Sequence, residues 1–213
     1  MRVYIVRHGS TEWNLTGKWQ GSSDVPLSAI GIRDATLTAN FLADKVESIE
    51  AIYSSDLSRA AETAEIIGER FGKPPIKMKE LRECRMDLWS GLKIEEILEK
   101  YGKEFQEWRT NPDAEIPDTE SLNQVQKRAV RAFKTITSSL SDESNIIIVS
   151  HALWIRLLLC RVLNIPIQQH RKFNLWNCSV TILDYDSRFG WVVDTLNYYF
   201  HLEVDTKKAI ENR

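Results

Sequence analysis

Cysteine is scarce in this chain, and the little it has is badly spaced for covalent or metal cross-linking. Cys84, Cys160 and Cys178 form no C-x-x-C pair and no Cys/His cluster, and their number is odd. Neither a disulfide framework nor a zinc ribbon is therefore indicated, and the thiols read as reduced and mostly structural. An excess of charge of one sign is also missing, since 28 Lys and Arg stand against 30 Asp and Glu. That balance leaves no nucleic-acid footprint, so any anionic ligand must be held by local basic residues. No apolar run approaches the roughly 18 residues of a membrane span, and no apolar leader core precedes the first strand pattern. Repeats, low-complexity segments and Pro/Gly/Ser-rich linkers are absent too. The expectation is a soluble, cytoplasmic protein, folded as one domain over residues 1–213, whose 43 % hydrophobic content suffices for a sizeable core.

What is present follows one grammar three times: an apolar run, polar residues, then a helical pattern. The first unit is "RVYIVRHGS" followed by "PLSAIGIRDATLTANFLADKV", in which Ser28 is a candidate N-cap and Ala35, Ala39, Leu42 and Val46 recur at helical spacing. The second opens with a short strand at Ala51–Tyr53 and continues as a helix with the stripe Ala60, Ala64, Ile67 and Phe71, ended by Gly72 and Pro74. The third carries β-branched residues from Ile146 to Val149, the pattern of a strand buried on both faces, and then "SHALWIRLLLC". Between the second and third units a helical insertion spans about 93–140. "KIEEILEKYGKEFQEWRTNP" reads as one or two short helices, and "SLNQVQKRAVRAFKTITSSL" as a longer one with a capping box at Ser121 and Gln124. "SVTILDY" and "WVVDTL" form a strand pair around Asp186 to Gly190, at a sheet edge. Alternating strands and helices indicate an α/β fold with a mostly parallel central sheet.

In such a sheet, ligands bind outside the carboxyl ends of the strands, and each unit places its unusual residues there. Arg7 and His8 end the first strand, Arg59 follows the second, and His151 follows the third. Each has a plainer reading. His8 alone suits a hydrogen-bonded structural role, and Arg7 suits pairing with a carboxylate. Arg59 is harder to explain that way, because a cation in the first turn of a helix opposes the macrodipole unless an oxyanion binds there. His151 replaces what would be a cheaper apolar residue, next to the helix-start amides from Ala152 onward. His170 reads as part of a solvated loop, and His201 as folded over the pocket or exposed. Two guanidinium groups would repel a dication, and no H-E-x-x-H or H-x-H spacing occurs, so no metal is expected. Together the four residues make a site for a small, doubly charged anion.

"RHGSTEWN", "SSDLSRAAETA" and "VSHA", with "PLSAIG" and "LWSGL" in order between them, resemble the histidine phosphatase superfamily over nearly the whole chain. The resemblance implies the phosphoglycerate-mutase-like fold, a three-layer α/β/α sandwich. It implies that His8 is the nucleophile that takes the phosphoryl group, that Arg7 and Arg59 clamp its oxygens, and that His151 completes the pocket. Asn14 would add a polar contact, Gln20 and Gly21 would line the entrance, and Glu83, shortly before the "WSG" stretch, would be the proton donor. By itself Glu83 reads as a loop carboxylate paired with Arg82 or Arg85. The chemistry agrees with these roles, since phosphoryl transfer demands positioning and charge stabilisation, a neutral imidazole nucleophile and a proton for the leaving alkoxide. The nucleophile's other nitrogen is expected to donate to a carbonyl near Gly9.

Asp87 stands where many relatives have Gly, and "DTES" at Asp118–Ser121 where Gly-Gly-Glu-Ser is common. Without glycine a positive φ is costly, so these loops are expected to be shaped differently. The implied activity is metal- and cofactor-free hydrolysis of a small phosphorylated metabolite, most similar to the metal-independent phosphoserine phosphatases, with ribazole and sugar-phosphate phosphatases still open. The compact, Glu-rich stretch after Glu83 lacks the extra basic segment of cofactor-dependent phosphoglycerate mutases, which remain the alternative. A phosphate binder without turnover is a third class. Trp13, Trp19 and Trp89 are candidate substrate walls. A homodimer through an exposed strand edge near Ser179 to Leu183 is the expectation for a protein partner.

Overall fold

The computed structural model of the protein describes residues 1–202; most of the tail "HLEVDTKKAI" lies outside the described residues. The chain runs β1 (Arg2–Arg7), α1 (Glu12–Leu15), α2 (Ala29–Lys45), β2 (Ala51–Ser55), α3 (Ser58–Phe71), β3 (Ile76–Met78), α4 (Ile94–Thr110), α5 (Leu122–Thr137), β4 (Asn145–Ser150), α6 (Ala152–Val162), β5 (Val180–Asp186) and β6 (Gly190–Tyr198). The six strands form one sheet in the order β3-β2-β4-β1-β5-β6. β3, β2, β4 and β1 are mutually parallel, and β5 and β6 are antiparallel to their neighbours.

Strand alternation divides the core into two faces. Val3, Ile5, Ile146 and Ile148 pack with Ala129 and Phe133 of α5 and Trp154, Ile155 and Leu158 of α6. Tyr4, Val6, Ile147 and Val149 point the other way, onto Ala39 and Leu42 of α2 and Ala60, Ala64 and Ile67 of α3. The result is the three-layer α/β/α arrangement expected from the sequence, because the interiors of β1 (Val3 to Val6) and β4 (Ile146 to Val149) are buried on both faces and must be covered on both sides. The expected N-cap at Ser28 accepts from the Gly31 N–H at 3.1 Å, and the capping box at Ser121 and Gln124 is formed. The first insertion segment is one helix with a kink at Tyr101. α4 and the N-terminal half of α5 build a third core around Trp89, Phe105, Trp108, Leu122 and Val125. Among the described residues no helix is long and apolar enough to cross a membrane.

Two expectations are corrected. Ser179 to Leu183 is not an exposed edge: β5 lies between β1 and β6, so its backbone groups are already paired and cannot recruit a second copy. The C-terminal edge of the sheet is β6, and the other edge is β3, too short for its pattern to be read in sequence. His201 neither covers the pocket nor faces solvent freely. It stacks on Phe41 at 4.7 Å between ring centroids, and its Nε2 lies 2.9 Å from Thr38 Oγ1.

The loop leaving β1 is held by backbone contact with α2. Ser28 donates to the Ser10 carbonyl from both its N–H, at 2.9 Å, and its hydroxyl, at 3.0 Å. A Cβ at Gly31 would lie 2.1 Å from that same carbonyl oxygen. Gly31→Ala is expected to destabilise the protein by about 1–3 kcal/mol, as overpacking does, with a Tm lower by about 2–12 °C in thermal melting. Gly102→Ala is the control: a Cβ there meets nothing within 4 Å, and the Tm should hold or rise. Equal Tm values for the two variants would overturn the close-approach reading.

Candidate functional site

The carboxyl ends of β1, β2 and β4 bring together the residues that the sequence scatters. His8, 3 % exposed, follows β1, and its N–H continues the ladder to Ser150 O at 3.0 Å. Its Nδ1 lies 2.7 Å from Gly9 O. A carbonyl only accepts, so Nδ1 carries the proton and Nε2 the lone pair. That Nε2 accepts from Arg59 Nε at 3.3 Å. The His151 ring packs against His8 with centroids 4.9 Å apart. His151 is the N-cap residue of α6, is fully buried, and finds no partner for either ring nitrogen among the described residues.

Arg59 sits in the first turn of α3 and is 1 % exposed. Its Nη1 donates to Ser23 O at 2.7 Å and its Nη2 to Gly21 O at 2.8 Å. Gly21 takes φ 52, and a Cβ on it would lie 2.4 Å from Met86 Cγ, so only glycine presents that carbonyl here. Burial lowers Arg59 to about 10, with Glu83 and Asp24 opposing. Arg7 also falls to about 10, through burial and then Arg156, and its Nη1 donates to Leu175 O at 2.6 Å. Both cations are thus stabilised chiefly by backbone carbonyls, which leave their charge uncancelled.

Glu83 is not paired with Arg82 or Arg85. Arg82 binds Asp56 at 2.6 Å, and Arg85 approaches Asp118 at 3.4 Å. The Glu83 carboxylate instead caps α6, accepting from Leu153 N at 3.1 Å and Trp154 N at 3.3 Å, and from Cys84 N at 3.0 Å. Its loop is fixed by Arg128 of α5, which donates to Glu80 O at 3.1 Å, Arg82 O at 2.7 Å and Glu83 O at 3.3 Å while pairing with Glu120 at 2.8 Å. The neighbouring turn keeps a left-handed residue without glycine: Asp118 takes φ 52, a conformation that Asp tolerates better than most side chains.

These groups open onto a cavity of about 270 Å³. Arg7, His8, Asn14, Gln20, Gly21, Arg59, Glu83 and Ala152 all line it. His151 is not on its wall and reaches it only through the His8 ring. Asn14 is held from behind, its Oδ1 accepting from Thr11 N at 3.1 Å and Asn177 Nδ2 at 3.4 Å. Of the three tryptophans, Trp19 lines the cavity, Trp89 is core, and Trp13 packs on Gly91 outside it. Sequence reasoning missed Lys18, Trp108, Arg109, Arg156, His170 and Arg171 on the same walls. His170, expected in a solvated loop, is 4 % exposed in a 3₁₀ turn, with Nδ1 2.9 Å from Ile167 O. The one available signal was Arg156, a lone cation in the apolar run of α6.

A family model described as histidine phosphatase superfamily (branch 1) matches residues 3–198. A protein from Proteus mirabilis (strain HI4320) named probable phosphoglycerate mutase GpmB is 36 % identical over 211 residues, covering 95 % of each chain. Among solved structures, Bacillus stearothermophilus YhfR is 28 % identical with a TM-score of 0.86, over 95 % of this chain and 99 % of that one. A phosphoserine phosphatase from Entamoeba histolytica, in complex with 3-phosphoglyceric acid, is 27 % identical with a TM-score of 0.83, over 94 % and 98 %.

Burial, then Arg59 and Arg7, hold His8 well below 6.5; burial, then Arg59, His8 and Arg7, do the same to His151. Unfolded histidines titrate near 6.5, so on acidification the unfolded state takes up protons that the fold refuses. Stability attributable to these groups is full above that pH and falls as pH drops below it, by up to about 1.4 kcal/mol per pH unit for each imidazole. Tm is therefore expected to fall between pH 7.5 and 5.5, and to fall less steeply in the His8→Gln/His151→Gln double variant. Identical slopes would show that these imidazoles carry charge in the fold.

Proposed function

The chain belongs to the histidine phosphatase superfamily, and we propose that it is a metal-independent phosphomonoesterase acting on a small phosphorylated metabolite through a phosphohistidine on His8. The observation that carries this reading is the state of His8. Its tautomer is set by Gly9 O, its ring is kept neutral by burial and by Arg59 and Arg7, and its Nε2 lone pair, which accepts from Arg59 Nε at 3.3 Å, belongs to a residue of the cation-lined cavity wall. That nitrogen attacks phosphorus as the ester oxygen departs, and the P–O bond breaks as the N–P bond forms. Arg7 and Arg59 bind the phosphoryl oxygens and spread the charge of the transition state, while the buried His151 ring packs against His8 off the cavity wall. Because neither charge is cancelled by direct carboxylate pairing, both are available to the substrate, and Arg59 Nε releases His8 Nε2 as that nitrogen bonds to phosphorus.

In this proposal Glu83 enters as the carboxylic acid and protonates the departing alkoxide, then as the carboxylate takes a proton from the water that cleaves the N–P bond, which restores both His8 and the acid form and releases phosphate. Asn14, Gln20, Gly21 and Ala152 shape the cavity around the ester. Phosphoserine is a candidate substrate, since a phosphoserine phosphatase shares the fold over most of both chains. We place the activity in the cytoplasm, where three buried free thiols persist reduced. A second reading, transfer to a phosphoglycerate acceptor instead of water, is favoured by the name of the Proteus mirabilis relative. Incubation with 3-phosphoglycerate separates the two: inorganic phosphate is expected, and 2-phosphoglycerate without phosphate release would establish the mutase.

Brief incubation with substrate, denaturation in base and peptide mapping should place an acid-labile phosphoryl group on the peptide containing His8; label on another residue would sink the mechanism. EDTA should leave turnover unchanged. Glu83→Gln should lose about 10²–10⁴-fold in kcat with alkyl phosphates, which need a proton on the leaving oxygen, and much less in the phosphorylation step with p-nitrophenyl phosphate. Equal losses for both substrates would reduce Glu83 to a helix cap.

A further inference from the structure

The orientation of the His8 ring rests on a contact inside its own loop, Nδ1 to Gly9 O at 2.7 Å. A ring nitrogen reaches the carbonyl of the very next residue only while the peptide between them keeps one orientation. Nothing at Gly9 itself supplies that restraint: a Cβ there would lie 2.6 Å from Gly31 O, so the position admits only glycine, the residue with the freest backbone. The restraint has to come from outside the loop.

Two side chains from other elements grip the peptide that joins His8 to Gly9. Its N–H, that of Gly9, donates to Thr63 Oγ1 at 3.0 Å, and its carbonyl, that of His8, accepts from Asn177 Nδ2 at 2.9 Å. In a trans peptide these two groups point in opposite directions, so bonds to both fix its plane against rotation. Thr63 is fully buried on α3, one turn beyond Arg59, and its hydroxyl proton goes to Arg59 O at 2.7 Å, which leaves an oxygen lone pair for Gly9. Asn177 comes from the segment before β5. A carbonyl only accepts, so the Asn177 atom that faces His8 O is the amide nitrogen. The Cys178 N–H, bonded to Arg7 O at 2.9 Å, adds a longer contact to His8 O at 3.4 Å. Neither Thr63 nor Asn177 is on the cavity wall.

We propose that Thr63 and Asn177 are positioning residues for His8: by holding the peptide between residues 8 and 9 from both ends they keep Gly9 O on Nδ1, and so set which ring nitrogen attacks and in what direction. The kinetic consequence rests on the phosphatase reading, whereas the state of the ring rests on the geometry alone. The clamp matters most in the transition state. As Nε2 bonds to phosphorus and the ester oxygen leaves, the ring gains positive charge, and the Nδ1 bond to Gly9 O becomes charge-assisted and about twice as strong. A carbonyl free to swing away would give up that stabilisation. Binding of the phosphoryl oxygens by Arg7 and Arg59 does not pass through this peptide, so rate and not affinity carries the effect. Thr63 also joins the two halves of the site: the helix that presents Arg59 to Nε2 holds the peptide that orients the opposite ring nitrogen.

Thr63→Val removes the acceptor for the Gly9 N–H at nearly constant shape, and Asn177→Leu removes the donor to His8 O. Each should lower the rate of p-nitrophenolate release from p-nitrophenyl phosphate, in a single turnover at saturation, by about tenfold to a hundredfold, with the half-saturating concentration of Thr63→Val within about threefold of wild type. Thr63→Ser, which keeps the hydroxyl, should retain most of the rate. The double variant should lose little beyond the larger single loss, because one peptide is released in all three proteins; losses that multiply would mark two separate packing defects and overturn the clamp. Nitrogen-15 NMR of the His8 ring in the resting protein reads the clamp without turnover. The wild type should carry its proton on Nδ1, and both variants should shift the ring toward a mixture of tautomers. A ring spectrum unmoved in both would overturn the clamp and leave the phosphatase standing, whereas a shifted ring in a protein that releases no p-nitrophenolate even as wild type would uphold the clamp and sink the phosphatase reading. In the wild type, which needs no variant to fold, the Gly9 amide should exchange with deuterium as slowly as the amides of β1; fast exchange would overturn the bond to Thr63.

Discussion

The contact on which this structure turns is the one between Arg59 and His8, a buried guanidinium donating to a buried neutral imidazole at 3.3 Å. Neither group would be cheap alone in that place. Arg59 stands at a helix N-terminus, whose macrodipole repels it, and both residues have lost water. Two backbone carbonyls, Gly21 O and Ser23 O, hold the cation, and Gly9 O holds the imidazole. The loop from residue 20 to 24 is therefore shaped by a charge at its centre: Gly21 adopts its left-handed turn, and Asp24 accepts from the Ser58 N–H at 2.7 Å, capping the helix that carries Arg59.

The helical insertion answers a related problem at α6. That helix begins at the sheet end with unpaired amides, and Glu83 reaches them from a loop that has little secondary structure of its own. Arg128 gives the loop its shape by binding the carbonyls of Glu80, Arg82 and Glu83, and Glu120 anchors Arg128 in turn. The aromatic core around Trp89, Phe105 and Trp108 ties α4 to the same loop through the Trp108 indole, which donates to Glu120 O at 2.9 Å. The insertion is thus the support for the Glu83 wall as well as the source of Arg109.

The fold was legible wherever periodicity was strong. β1, β4, α2, α3 and α5 follow from apolar spacing and caps, because a strand buried on both faces and a helix buried on one write distinct patterns into the chain. β3 left no readable pattern in its three residues, and the position of β5 inside the sheet could not be read, because strand order is a choice between pairings that satisfy the same local pattern. Of the candidate site, Arg7, His8, Arg59 and Glu83 were legible from motifs and strand ends, and the structure brings them onto one cavity. Trp89 and His201 resisted reading for a simpler reason: an aromatic ring looks the same in sequence whether it lines a cavity or fills a core.

By itself, then, the sequence determined the α/β class, the strand ends that carry the site and the chemical type of group at each, since these depend on neighbours along the chain. Only the tertiary structure decided what each charge meets. It gave Arg82 to Asp56 and left Glu83 to the amides of α6. It buried His170, and it assembled Arg109, Arg156 and Arg171 on one wall without a carboxylate partner among the described residues. The physical reason is that electrostatic pairing acts through space and is strongest where water is excluded, so the partner of a charged side chain is set by packing between elements distant along the chain.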